Sequence, residues 1–372
     1  MSEESKPPLI WVNLILFSST FLISLFVVPY YAIEQSLQTS VIVWTLLCFA
    51  FCNLSITAGY HRLWSHKTYQ ANFALRLIFA LGGAFALQNS ILHWSSDHRV
   101  HHKHVDNNDK DPYSAKRGFW FSHIGWMLRD YNKDNYADYS NCRDLQKDPI
   151  VVWQHKYYLP LALITNIGIP VTLGFIYQDI IGMVLFVGIL RLVLVHHTTF
   201  FVNSLAHIWG RQTYTDKNSA RDNGFLALFT FGEGYHNFHH IFENDYRNGI
   251  RWWDYDPTKW LIKGFSYVGL TTNLRKTPQI LIEKARLKMM LTNAEKKTQS
   301  FPLLQTQIQD EFERIIKCLE DYYSVKKQML GAKRTRLKEK YEFDLLVIRK
   351  QQIQVELNAM ISDWRKLSCQ AV

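Results

Sequence analysis

Four long stretches of this chain carry almost no charge, and nothing else in the sequence constrains its fold as strongly. Residues 9–28 (LIWVNLILFSSTFLISLFVV) hold no charged side chain at all. At about 1.5 Å per residue such a run crosses a hydrocarbon core of about 30 Å. A second run, 40–60, ends just before His61, and the runs 157–178 and 180–202 meet at Gln178-Asp179, so that they read as a hairpin of two spans. The first run reads as a span and not a cleaved signal, because the preceding SEESK is not basic and no small-residue cleavage site follows before Pro29. The mean hydropathy of −0.14 conceals these segments by averaging them with a polar tail. Low-complexity disorder is excluded by an aromatic content of 15%, and a disulfide framework by five cysteines, two of which (Cys48, Cys52) lie in an apolar run.

The short links 29–39 and 178–179 contain no Lys or Arg, whereas the segments holding Arg62, Lys67, Arg99, Lys103, Arg211 and Arg221 do. The positive-inside rule therefore places those segments, and both termini, on the cytoplasmic side. A further apolar stretch, 73–92, carries Arg76 and two glycines. If it crossed the bilayer, the histidines on either side of it would be separated, so it is expected to lie in the interface or to re-enter.

From residue 281 the chain becomes a charged tail with 18 Lys+Arg against 12 Asp+Glu, which is +6 of the formal +10. Ile308, Phe312, Ile315, Leu319 and Tyr322 recur at helical spacing, and after Gly331 so do Leu337, Tyr341, Leu345, Ile348 and Val355. A helical hairpin or coiled-coil element is expected there. The domain reading is 1–280 for the membrane part and 281–372 for the extension.

All 15 histidines fall between His61 and His240. Three clusters stand out: HRLWSH (His61, His66), HRVHH (His98, His101, His102) and HNFHH (His236, His239, His240); NSLAH adds Asn203 and His207 four residues apart. Steps of three and four share a helix face. Crowded imidazoles repel when protonated and need partners when neutral, which makes metal ligation the economical reading. Nine of them exceed the ligand set of one zinc ion, so two metals are expected. Imidazole softness admits iron, copper or zinc, and a redox metal opening onto lipid suits oxygen chemistry on an apolar substrate. His93, His104, His123, His155, His196 and His197 match no repeated pattern. No HExxH, GxSxG, Walker loop or GxGxxG occurs, so protease, serine hydrolase and nucleotide readings lack their mechanical parts.

With TAGYHRLWSH, DHRVHHK, DPYSAKRGFWFSHIGWML, NSLAH and GEGYHNFHH in this order, the region from about 8 to 278 resembles the membrane fatty acid desaturases, specifically the delta-9 type that includes stearoyl-CoA desaturase. The ending DYRNGIRWWDYDPTKW resembles the bacterial and cyanobacterial branch, which would place the protein in a bacterial inner membrane. The resemblance implies an all-α membrane protein: four transmembrane helices, and a cytosolic helical cap that encloses a histidine-rich di-iron site. The metal ligands it implies are His61, His66, His98, His101, His102, His207, His236, His239 and His240, with Asn203 acting through a water. It also implies a kinked acyl tunnel lined by Trp94, Thr199 and Phe200, the last standing where animal enzymes carry Trp. Asn89, Lys116 and Arg117 fall where the family meets the polar head of the acyl carrier, and Ser96 replaces a family Arg there. Lys116 and Arg117 could equally bind lipid phosphate. Phe49, Cys52 and Asn53 are candidates for the closed end of the tunnel.

An alkyl C–H bond far from any functional group offers no acidity for a side chain to exploit, so the expected reaction relies on two iron ions, dioxygen and two electrons to give a cis double bond. The sequence has no HPGG haem motif and no cysteine set for an iron–sulfur cluster, so the electrons are expected from a separate donor, either a ferredoxin or a cytochrome b5-like protein. The substrate is an acyl thioester or an acyl lipid, and no nucleic-acid partner is expected. A histidine-box hydroxylase of the alkane or sterol type shares the metal chemistry. A metal-binding transporter or sensor would need polar residues within the spans, which show only Arg191 and scattered Asn or Thr.

Overall fold

The computed structural model describes residues 7–131, 137–334 and 340–369, and the chain divides into two compact units, one of Met1–Gln212 with Lys217–Lys276 and one of Thr213–Asp216 with Thr277–Val372. Among the described residues of the first unit, four helices are long and apolar enough to cross a membrane: Trp11–Glu34, Thr39–Ser65, Tyr158–Tyr177 and Ile180–Ile208. Each starts within two residues of its expected run, and the second and fourth continue past the apolar stretch to carry His61 and His207. Helix Phe73–Phe85, with 13 residues, is about 20 Å long and too short to span the hydrocarbon. Asn72 caps its start by accepting a hydrogen bond from the Leu75 amide.

The second span ends in an unusual winding. Over Ser55–Ser65 the helix adopts π geometry, and beyond it the His66 amide donates to the His61 carbonyl at 3.1 Å. In an α-helix residues five apart lie about 140° apart around the axis. The wider π turn brings them toward one face, and the two imidazole centroids stand 4.8 Å apart. Glycine makes room for this segment: a Cβ on Gly83 would come within 2.1 Å of the Tyr60 ring. Tyr60 is fully buried next to His61 and accepts a hydrogen bond from Gln154 at 2.6 Å. We predict that Gly83→Ala forces Tyr60 aside and destabilises the protein by about 1–3 kcal/mol, read as a lowered thermal midpoint in detergent.

Arg191 is the one charged side chain inside the fourth span, and it is fully buried without a carboxylate partner. Its guanidinium donates to the Phe85 carbonyl at 2.6 Å, to Asn166 Oδ1 at 2.7 Å and to Val187, knitting three helices together. Its donors end on protein acceptors. A short antiparallel pair, Gln70–Ala71 with Thr271–Thr272, ties the chain after the second span to the end of the unit.

The second unit consists of helices Gln279–Lys297, Pro302–Arg334 and Lys340–Cys369 around their own small core, in which Leu287, Leu291, Ile308, Ile315, Leu319 and Trp364 are buried. The first apolar stripe of the tail supplies that core. The second does not. Leu345, Ile348 and Val355 are exposed, and among the described side chains of that helix the buried ones are Leu357 and Trp364; Leu337 lies outside the described residues, as does the Tyr341 side chain. Gly331 sits inside a helix and does not separate two.

Candidate metal centre

Four segments bring the histidines together. Helix Ile91–His104, capped by Ser90, carries His98, His101 and His102. It is held to the end of the second span by Arg99, which donates to the carbonyls of Trp64 (2.8 Å) and Ser65 (3.1 Å) and pairs with Asp144. The single-turn helix His236–Ile241 carries the last cluster. The fourth span breaks at Ser204, and the extra turn Leu205–Ile208 re-aims His207.

The gathered imidazoles form two groups, His61, His66, His98, His102 and His239, and His101, His207, His236 and His240; within each, one nitrogen per ring lies within 4.8 Å of the others. The pattern cuts across the sequence motifs. In HRVHH the residues four apart, His98 and His102, serve one group and His101 serves the other. In HNFHH, His236 and His240 serve one and His239 the other. Each helix thus contributes to both groups, which holds them close: the His102 and His240 rings stack across the divide at 4.3 Å with 7° between planes.

The partners of the outer nitrogens show what the inner ones can do. His101 Nδ1 meets Asp111 Oδ1 at 2.9 Å, His61 Nδ1 meets Glu233 Oε2 at 2.9 Å, and His102 Nδ1 meets Glu243 Oε2 at 3.1 Å. Ser219 gives its hydroxyl proton to Asp106 at 2.5 Å and so accepts from His207 Nδ1 at 2.8 Å. The rings of His101, His102 and His207 therefore present bare Nε2 lone pairs inward, and the Glu233 carboxylate beside His61 Nδ1 favours the same tautomer there. His239 Nε2 stands 3.0 Å from both His61 Nε2 and His102 Nε2, with at most one proton to give. Two lone pairs at that distance repel, and a cation between them removes the conflict. The donor set therefore fits a metal ion in each group.

For six of these rings protonation is a poor substitute for a metal. Burial first, and then the neighbouring histidines, hold His66, His98, His236, His239 and His240 well below the ordinary imidazole range, and burial brings His102 down to about 4. Burial alone would raise the Glu233 carboxyl, but its interactions with His61 and with the Arg62 guanidinium outweigh it and hold Glu233 at about 2. Glu233 also accepts from Asn248 at 2.7 Å and from Arg62 at 2.8 Å, and Arg62 pairs in turn with Asp256.

A cavity between the second and fourth spans reaches the centre, lined by Asn53, Ile56, Thr57, Thr198, Thr199, Val202, Asn203 and Thr230 with Trp94, His61, His98, His101, Glu233 and His236. Trp94 stacks on His98 at 4.9 Å. Thr199 accepts a hydrogen bond from Gln88 at 2.8 Å, a crosslink in the cavity wall that the sequence did not single out. Of the other expected substrate residues, Phe200 does not line the cavity and packs on His123 and His196 at 5.6 Å. Asn89, Lys116 and Arg117 also lie off it: the Asn89 side chain accepts from the Ser90 amide, Lys116 lies 3.9 Å from Asp106, and Arg117 stacks on Phe121 at 3.6 Å. Ser96, in the place of the expected cation, donates to Asn141 at 2.9 Å. Of the three candidates for the closed end only Asn53 touches the cavity; Cys52 lies beside Arg191 and Phe49 against Phe231.

The family model for fatty acid desaturases matches residues 38–272. The chain belongs to the fatty acid desaturase family. Among its relatives in that family, a probable acyl-CoA desaturase of Schizosaccharomyces pombe is 47% identical over 249 residues, 67% of this chain and 52% of the relative. Acyl-CoA desaturase 1 of Saccharomyces cerevisiae is 40% identical over 290 residues, 77% and 56% of the two chains. The sn-2 palmitoyl-lipid 9-desaturase of Nostoc sp. is 34% identical over 279 residues, 74% and 93%. The chain thus spans about half the length of the two yeast relatives. The expectation of a bacterial branch, and with it a bacterial inner membrane, is not supported: the yeast sequences are nearer than the cyanobacterial one, so the DYRNGIRWWDYDPTKW ending did not discriminate between branches.

The carboxylates Glu233, Asp111, Glu243 and Asp106 were not singled out from the sequence. Two of them were in view, Glu233 within GEGYHNFHH and Asp111 at the head of DPYSAKRG, and an acidic residue close to each histidine motif was the available signal.

Proposed function

We propose that the protein is a membrane-bound acyl desaturase that introduces a cis double bond, at the delta-9 position, into a saturated fatty acyl chain. The observation that carries this reading is the pair of buried histidine groups opening on an apolar cavity between two spans, in a chain of this family. Two iron ions are the metals, held by His61, His66, His98, His102 and His239 in one group and by His101, His207, His236 and His240 in the other, with Asn203 acting through a water. Bound iron would supply the dioxygen chemistry that removes two hydrogens from unactivated carbons, which no side chain here can do.

The chain's own residues contribute geometry. Glu233, Asp111, Glu243 and Ser219 fix the tautomers and ring planes of their histidines. Trp94, Thr199 and Ile56 give the acyl chain an apolar path whose bend the Gln88–Thr199 hydrogen bond would set, holding one carbon pair near the centre. Asn89, Lys116, Arg117 and Phe200 are proposed to contact the carrier or shape the path when substrate is bound, with Asn53 near the closed end. The acyl thioester and acyl lipid forms of the substrate share this apolar tail. The basic segments and both termini face the cytosol, and two electrons come from a separate ferredoxin or cytochrome b5-like carrier.

Expression in a desaturase-deficient host, with the new double bond located by mass spectrometry, tests this reading. A monounsaturated chain with the bond at carbon nine is expected. An alcohol would favour the hydroxylase instead, and active native protein containing zinc alone would favour the transporter or sensor.

A further inference from the structure

The histidine-bearing cap also exposes a set of aromatic side chains that the catalytic reading leaves unused. Trp252, Trp253 and Tyr267 are 81%, 58% and 77% exposed, and Trp260, Phe225 and Phe229 are exposed as well. Their depth follows from two contacts with the second span. That span has 27 residues, about 40 Å, against a hydrocarbon thickness of about 30 Å. Because the link Gln35–Gln38 at its start is short, the excess length projects at the end that carries the histidines. Thr57 therefore lies near the hydrocarbon boundary and Phe49 well inside it. Thr57 Oγ1 is 2.7 Å from Thr258 Oγ1, and the Phe49 ring meets Phe231 at 5.8 Å. Helix Pro257–Tyr267 thus starts at the level where lipid gives way to water, and Phe231 reaches below it.

The aromatic face is braced. Helix Pro257–Tyr267 buries Thr258 and Ile262 toward the protein and turns Trp260 and Tyr267, seven residues apart, outward. Lys259 is buried, and its ammonium donates to the carbonyls of Gly249 (2.9 Å), Arg251 (2.7 Å) and Asp254 (3.2 Å), so the loop carrying Trp252 and Trp253 is fastened to this helix. Two cations accompany the rings: Arg251 lies 5.6 Å from the Trp253 ring centre and Lys263 4.5 Å from that of Tyr267. Amphipathic aromatic rings at this depth with Arg and Lys beside them match the chemistry of an anionic headgroup layer.

We infer that this face is an interfacial anchor: Trp252, Trp253, Trp260 and Tyr267 insert among phospholipid headgroups while Arg251 and Lys263 pair with anionic phosphates, fastening the cap to the bilayer independently of the four spans. The test uses the full-length protein in nanodiscs of phosphatidylcholine with phosphatidylglycerol. Nitroxide labels at positions 252 and 267 are compared with one at exposed position 109 for their accessibility to oxygen relative to a water-soluble nickel complex. A ratio several-fold higher at 252 and 267 is expected, and ratios equal to that at 109 would overturn the inference. Should the labelled proteins fail to fold, the conservative pair Trp252→Phe and Trp253→Phe is read instead by brominated-lipid quenching of tryptophan fluorescence. The variant is expected to lose part of the wild-type quenching, and identical quenching would overturn the anchor. Arg251→Gln with Lys263→Gln is expected to lower the phosphatidylglycerol retained on purification, and unchanged retention would overturn the headgroup pairing.

Discussion

Replacing His101 or His239 by Ala is expected to reduce double-bond formation below detection while leaving the four spans folded. His101 belongs to the four-histidine group, so its loss leaves three ligands and turns Asp111, with its carboxylate fully buried, into a charge without its imidazole partner. His239 stands 3.0 Å from two other ligands, so its loss opens the middle of the five-histidine group. Metal bound per chain should fall by about half in each case if the groups fill independently, and circular dichroism should stay near the wild-type spectrum. Retained turnover in either variant would show the ligand assignment to be wrong.

Glu233→Gln is expected to have the second largest effect, because one carboxylate serves three partners. It faces His61, Arg62 and Asn248 from a site almost closed to water. A neutral amide still accepts hydrogen bonds, but it withdraws the charge that balances Arg62 and weakens the hold on the His61 tautomer. Loss of such an outer partner lowers metal affinity by about 10–100-fold. Breaking a buried pair leaves an uncompensated charge and costs about 3–5 kcal/mol, which Asp256, the other partner of Arg62, offsets in part. Titration with a competing chelator would measure the first effect and thermal unfolding the second. An unchanged chelator midpoint would mean that Glu233 does not orient His61.

The spans were legible because lipid demands length and the absence of charge, and both can be counted along the sequence. The histidines were legible as a set for a similar reason, since three- and four-residue steps imply a shared helix face. Their division into two groups was not legible. It depends on how the turns of about 60° and 100° that separate His101 from His98 and His102 around the helix are met by the helix opposite. The His61–His66 pair depends on a π turn, and spacing alone does not reveal that. The carboxylates lie near the histidine motifs in sequence, but which partner each one meets depends on contacts across distances such as the 171 residues between Arg62 and Glu233, and that pairing was not legible. In the tail, the stripe through Leu345, Ile348 and Val355 had helical periodicity, but the packing there uses Leu357 and Trp364. Periodicity identifies a helix before it identifies which face is buried.

The most direct test of the two-metal account is the metal content of native, active protein, measured per chain by mass spectrometry. Two iron ions per chain are predicted, one for each histidine group. A single ion per chain, or zinc in place of iron with activity retained, would contradict it.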